Sequence, residues 1–542
     1  MLVDARRRDQ ITGLDYDLIV VGSGFAGLAI VDRFRDSGVS VCLIESGGRY
    51  PELRTQRLYR AENIGDPYFR LDSCRSRMFG GSGNLWGGMC RPLDPIDFEA
   101  RDGIPESGWP ISYSDLTPYF EDAATLLQLP AHVDQWSGRF TNGGSFGVED
   151  FEDVVIQHGA KVSFAEVYGS RILAAANITT MLHANVTELV MEPGSRRVAG
   201  ASVQPIGGSA FVVRAKAVVL ATGGIENARL LLASNRQRGA GIGNEFDLVG
   251  RYFMEHLQRP GGHIADVVTG RPQVYEPPTD GHATARAVVS PSSEALRRHG
   301  LPNCSISIED AGYSRVGRTP LSFSPTVTTL PLSVYHRVRD VNPAVAKQVR
   351  NAAAGQWGAL RVWQTSRVEQ RARVSTASTA GPRAAPMLST YIRAEQTPNA
   401  CSRVTLDARR DLLGVPRSRL DWRVAESDRA AMTRWLERFG RTVERPEIGG
   451  RYVPDDVAVS RITGGPHHMG TTRMAAVPSK GVVDATCRVH TTDNLYVAGS
   501  SVFTTSGWAN PTFTIVALAL RLADHLLRQM SETSRLTQVV RS

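Results

Sequence analysis

The segment from Asp17 to Glu45, DLIVVGSGFAGLAIVDRFRDSGVSVCLIE, constrains this chain more than any other. Leu18 to Val21 is a short apolar run that reads as a buried parallel strand. Gly22, Gly24 and Gly27 then open a helix predicted to run to about Ser37, and Val39 to Ile44 reads as a second strand ending in the acid Glu45. The first glycine permits a tight turn, the second lets backbone approach a pyrophosphate, and the third lets helix pack on strand. The helix N-terminus adds free N–H groups and the positive end of its dipole. Glu45, about 20 residues past Gly24, is placed to accept a hydrogen bond from a ribose hydroxyl. Strand, turn, helix, second strand and terminal acid all fit, so the segment points to a bound dinucleotide.

The rest of the chain supplies partners for this unit. At 542 residues it exceeds one simple core, which predicts two interleaved domains. The loop Arg77 to Gly88, RMFGGSGNLWGG, lets backbone amides crowd a flat ligand. Tyr113 to Leu129 reads as a helix capped at Ser114-Asp115. From Ile178 the pattern turns to short strands, the last ending at Ala217–Leu220 before Thr222-Gly223-Gly224 and a helix over Glu226–Ala233. This is a second strand–glycine–helix junction. Between about 258 and 455 the pattern is mixed, with a helix predicted from Asn342-Pro343 to about Ala354. Strands are predicted there over Ser402–Asp407 and Arg419–Arg423, about a Gly414-Val415-Pro416 turn. A strand over Asn494–Val497, the turn Gly499-Ser500-Ser501 and a helix over Pro511–His525 close the chain, with Pro511 suited to a first helical turn.

The expected fold class is therefore α/β. A Rossmann-like domain is assembled from 1–110, 171–257 and 456–542, the last also carrying a catalytic loop. Residues 111–170 form a partly helical segment leading to the substrate domain, and 258–455 form an interleaved, sheet-containing substrate domain.

Composition excludes several function classes. The chain is 42% hydrophobic and 21% charged, ordinary for a soluble globular protein. Its formal charge of +8, from 62 Lys and Arg against 54 Asp and Glu, is spread along the sequence. The Arg-rich stretch Arg361–Arg373 reads as solvated surface, or a docking face for an acidic partner, and no nucleic-acid motif accompanies it. Cys42, Cys74, Cys90, Cys304, Cys401 and Cys487 form no Cys-x-x-Cys and no Cys/His spacing. No metal site is expected, and the cysteines read as reduced thiols in a cytoplasmic protein. Three arginines near the N-terminus lack a following apolar run, so a secretion signal is not expected. Nor does any stretch reach the roughly 18 apolar residues of a membrane span.

Four blocks in fixed order carry a family resemblance. They are VVGSGFAGL with Glu45, FGGSGNLWGG, ATGGIENARLLLAS, and GGPHHMGTTRM with NLYVAGSSVFTTSGWANPTFTIVALALRLADHL. Together they resemble the glucose–methanol–choline (GMC) oxidoreductases, flavoenzymes that oxidise alcohols, most weakly between about 258 and 390. The HHMGTTRM form is most similar to the branch of bacterial sugar and polyol dehydrogenases and glycoside oxidases. The resemblance implies FAD. On it, Gly22, Ser23, Gly24, Ala26 and Gly27 would hold the pyrophosphate, Glu45 the adenosine ribose, and Val186 the adenine through its backbone. Arg77, Gly80, Gly81, Ser82, Asn84, Leu85 and Trp86 would line the flavin side, with Thr222 and Gly223 near the FAD. Gly499, Ser500, Asn510, Pro511 and Thr512 would close on the isoalloxazine. Ser500 departs from the acid or alanine that many members carry there. Some relatives attach FAD through a histidine just before a tryptophan. Leu85 precedes Trp86 here, so the FAD is expected to be non-covalent.

Alcohol oxidation needs a hydride acceptor, a base for the hydroxyl proton and a donor to hold the oxygen. The family's His-x-x-Gly-Thr places the base at His467, with neighbouring His468 as the alternative. Asn510 matches the partner position and would donate to the oxygen, its structural alternative being a helix cap. His256 and His490 read as structural or supporting groups, and Thr504 and Thr505 as hydroxyls near a substrate. The implied activity is FAD-dependent oxidation of a small-molecule alcohol, a sugar, glycoside or polyol. Oxygen, a quinone or another carrier would take the electrons. A flavin-dependent lyase or reductase on the same fold is one alternative. A non-catalytic flavoprotein subunit is another, which the His467/Asn510 pair opposes.

Overall fold

The computed structural model describes residues 1–7, 9, 11, 13–129, 145–159, 164–266, 284–310, 387–455 and 462–541. Asp15–Val21 lies inside an eight-stranded sheet, parallel to Val41–Ile44 on one side and to Phe211–Leu220 on the other. Ile178–Leu182 and then Leu2–Asp4 extend the parallel set beyond Val41–Ile44, and Leu495–Val497 adds to Phe211–Leu220. Strands covered on both faces can be apolar throughout, which explains the unbroken runs VCLI and LIVV. Asn185–Met191 and Val198–Gln204 complete the sheet as an antiparallel pair. Register matters most here. Val497, Leu220, Val21 and Ile44 stand side by side across the four central strands. The residues after them therefore leave the sheet along one carboxyl edge, where ligands lie in α/β proteins.

The second sheet is antiparallel and seven-stranded, in the order Arg451–Pro454, His256–Ala265, Leu388–Glu395, Cys304–Asp310, Thr284–Pro291, Phe151–His158 and Met89–Cys90. It thus draws strands from 1–110 and 111–170 as well as from 258–455. Helix Glu426–Val443 covers part of it, with Trp435 and Phe439 edge-on to Phe151.

Several elements depart from the sequence expectation. The first helix is Phe25–Arg33, ending before Ser37, whose hydroxyl bonds back to the Phe34 carbonyl. The second strand starts at Val41 rather than Val39. The helix predicted over Tyr113–Leu129 is broken into Tyr113–Asp115, Thr117–Tyr119 and Phe120–Leu126. Pro118 lacks an N–H and favours a first turn, not an interior, and the cap is Ser112, paired reciprocally with Asp115. Arg403–Arg410 and Pro416–Asp421 join Glu62–Asn63 in a separate three-stranded sheet, not the large one. The last strand is Leu495–Val497, and the Asn494 side chain just before it bonds the Val198 backbone. The last helix is Thr512–Arg541, well past His525. The helix predicted from Asn342 and the stretch Arg361–Arg373 lie outside the described residues.

Candidate active site

A cavity of about 480 Å³ opens at the carboxyl edge of the parallel strands. Gly24, Gly223 and Gly499 line it, and a Cβ on any of them would meet nothing within 4 Å. Bare backbone therefore faces open space, as a flat ligand lying close to main chain requires. Gly24 also caps helix Phe25–Arg33 with no side-chain partner, so the first-turn amides stay available to an anion. The residues present fit a dinucleotide.

Gly22, Ser23, Ala26 and Glu45 line the same cavity. Glu45 accepts from the Ser23 amide at 3.1 Å, the Ser23 hydroxyl at 2.6 Å and the Gly47 amide at 2.8 Å. Burial pushes its carboxyl up, against these bonds. Gly27 does not reach the cavity. Its missing Cβ would fall 1.9 Å from the Gly22 carbonyl oxygen, so its role is packing helix on turn. Gly81, Ser82, Leu85 and Trp86 line the opposite loop, and a Cβ on Gly81 would lie 3.1 Å from the Gly24 Cα. Gly80 and Asn84 shape that loop from behind. The Gly80 amide donates to the Ser23 hydroxyl at 3.1 Å, and the Asn84 amide donates to the Phe79 and Gly81 carbonyls at 3.0 Å. Arg77 lines the cavity while donating to Ser46 and to Glu226. Burial would raise the Glu226 carboxyl, but Arg229, Arg75 and Arg77 outweigh it and hold it down to about 2. Val186, Thr222, Ser500, Pro511 and Thr512 complete the lining.

The histidines enter on an antiparallel bridge. Met254 and Met469 exchange backbone hydrogen bonds, so His256 and His467, two residues on in each strand direction, fall opposite one another. Their Nδ1 atoms are 2.9 Å apart, and His256 Nε2 is 3.2 Å from the Ser506 carbonyl oxygen. One oxygen of Glu255 accepts from the amides of His256 at 3.2 Å, Gly465 at 2.9 Å and His467 at 3.0 Å. Tyr68 donates to its other oxygen. Burial nevertheless pushes the Glu255 carboxyl up to about 7. His467 faces the cavity, and burial, then His256, Arg393 and His468, drive its pKa well below the ordinary value. His468 also touches the cavity but points its Nε2 toward Cys74 and Glu255, at 3.8 and 4.0 Å, with its ring between Tyr68 and Phe253. Burial, then Arg75, lowers it to about 3.

Asn510 lines the cavity, and its Oδ1 accepts from the Arg393 guanidinium rather than from helix amides. Thr504 and Thr505 are turned away, donating to the carbonyls of Met474 and Asp97. His490 Nε2 lies 3.0 Å from the Ala475 carbonyl oxygen, and the residue does not line the cavity. Glu255 and Arg393 escaped the sequence reading, since their partners lie more than a hundred residues away along the chain. Among the described residues no His, Cys, Asp and Glu group could hold a metal, and the six cysteines are free.

Comparison with known proteins agrees with this geometry. A family model described as GMC oxidoreductase matches residues 398–519, and one described as FAD binding domain matches residues 161–299. The chain is 24% identical to 2-methyl-1,2-propanediol dehydrogenase of Mycolicibacterium austroafricanum, over 95% of this chain and 96% of that one. It is 25% identical to 6'''-hydroxyparomomycin C oxidase of Streptomyces lividus, over 94% and 92%. Among solved structures it is similar to pyridoxine 4-oxidase from Mesorbium loti, with a TM-score of 0.55 and 18% identity, covering 94% of this chain and 99% of that one.

Proposed function

From the chain's membership of the GMC oxidoreductase family, as an FAD-dependent alcohol oxidoreductase, we propose that it oxidises one hydroxyl of a polyol or glycoside with His467 as base. The observation that carries this reading is that His467 and Asn510 line the same cavity as Gly24 and Glu45. The groups that would handle an alcohol and those that would hold the dinucleotide thus share one space. Two relatives, one named for a diol and one for an aminoglycoside, support a polyhydroxylated substrate.

Bound FAD supplies a hydride acceptor. The chain must do the rest. Neutral His467 takes the hydroxyl proton as the C–H hydride departs, so the alcohol loses one proton and one hydride and becomes a carbonyl. Asn510 donates to the oxygen and steadies the negative charge that gathers there. Leu85 offers no nucleophile to a flavin, which supports non-covalent FAD. The presence of two separate large sheets supports a dinucleotide domain and a substrate domain.

Anaerobic mixing with diols, polyols, sugars and aminoglycosides, followed at the flavin absorbance, tests this. A polyhydroxylated alcohol should bleach the flavin, and readmitted air or an added quinone should restore it. A flavin that no alcohol bleaches would exclude the reading.

A further inference from the structure

We infer that His256 is a positioning residue that fixes which nitrogen of His467 is free to take a proton. The Ser506 carbonyl oxygen can only accept. His256 Nε2, 3.2 Å away, must therefore carry a hydrogen. The His256 side chain is fully buried, and burial followed by Arg393 brings it down to about 3, so the ring is neutral. A neutral imidazole with its hydrogen on Nε2 presents a bare lone pair at Nδ1. That lone pair faces His467 Nδ1 across 2.9 Å. The contact is attractive only if His467 supplies the hydrogen, because two bare lone pairs at that distance repel.

His467 therefore carries its hydrogen on Nδ1 and keeps Nε2 bare. Among the described residues Nε2 has no hydrogen-bond partner, and the ring lines the cavity. A proton arriving at Nε2 makes an imidazolium whose Nδ1–H bond to His256 becomes charge-assisted and stronger. His256 thus selects the reactive tautomer before reaction and steadies the charged ring after it. The two rings are kept in register because one Glu255 oxygen holds both backbone amides, at 3.2 and 3.0 Å.

The catalytic part of this inference rests on His467 being the base, and the test separates the two. Histidine 15N spectra of the FAD-loaded protein, assigned with His467→Ala, should show His467 Nε2 in the unprotonated, pyridine-type range and His256 Nε2 protonated. In His256→Phe, which keeps a ring but removes the acceptor, the two His467 nitrogens should move toward an average. Flavin reduction at saturating alcohol should then fall at least about tenfold with KM and FAD content unchanged. His256→Asn retains a short acceptor and should recover part of the loss. A protonated His467 Nε2 in the unaltered protein overturns the inference. Equal losses in the Phe and Asn variants, or unchanged reduction in His256→Phe at full FAD content, do the same. Spectra as expected, with His467→Ala reducing as fast as the unaltered protein, would leave the tautomer control standing and remove the base.

Discussion

The Arg393 guanidinium donates to Oδ1 of Asn510. This bond decides what Asn510 offers the cavity. With its oxygen turned to Arg393, the amide has its two N–H donors to give, the polarity an alcohol oxygen turning into an alkoxide requires.

Asn510→Asp should therefore fold and keep its FAD, because the new carboxylate pairs with Arg393. It presents acceptors where a donor is needed and favours protonated His467. Flavin reduction at neutral pH should drop at least about tenfold. Normal turnover at normal FAD content would show that Asn510 makes no contact with substrate.

His467→Ala should slow flavin reduction by about 10²–10⁴-fold while leaving FAD bound. The active form is the neutral imidazole, present above its pKa. Because burial, His256, Arg393 and His468 push that pKa well below the ordinary histidine value, the reductive rate should be flat through neutral pH. It should fall only in acid. An acid limb centred at or above about 6.5 contradicts the assignment. A larger loss in His468→Ala than in His467→Ala moves the base by one residue.

Arg393→Met combines both effects. Loss of one charge-assisted hydrogen bond frees the Asn510 amide to turn, which should lower flavin reduction by about tenfold or more. Removing a cation that depresses His467 should also move the acid limb to higher pH. A limb that stays put would mean that Arg393 does not act on the histidine.

Acid precipitation should release FAD into the supernatant, since Leu85, which lines the cavity before Trp86, offers no nucleophile. Flavin absorbance that remains with the washed pellet rejects the non-covalent assignment.

Glu45→Ala should weaken FAD retention by roughly 1.5–3 kcal/mol, measured by titrating FAD into stripped protein. The loss has two sources, a ribose contact and the Ser23 and Gly47 backbone that the carboxylate organises. Undiminished affinity would place the acid outside the binding site.

Local signals made much of this molecule legible. The strand Asp15–Val21, the Gly24 turn and the Thr222 junction each carry their geometry within a short stretch of chain, and each was readable. Asn510 was singled out only through family likeness, and its bond to Arg393, more than a hundred residues away, lay beyond any local pattern. His256 looked merely supporting because its value depends on the Met254–Met469 bridge, a long-range pairing that no local pattern announces. Thr504 and Thr505 looked available because burial by Trp109 and Met474 is tertiary. Pro118 and the Ser112 cap were local signals passed over, and Pro118 broke a predicted helix.

The pairing of Leu495–Val497 with Phe211–Leu220 sets the order of biosynthesis against the order of assembly. A nascent chain completes the first βαβ unit long before its partner strand exists, and Val218, Val219 and Leu220 keep a bare hydrogen-bonding edge until Leu495–Val497 has been made. Open, apolar strand edges are where incomplete chains stick to one another. Messages cut short before Leu495 should therefore yield inclusion bodies, and production of the intact protein should respond to chaperone supply and slower translation.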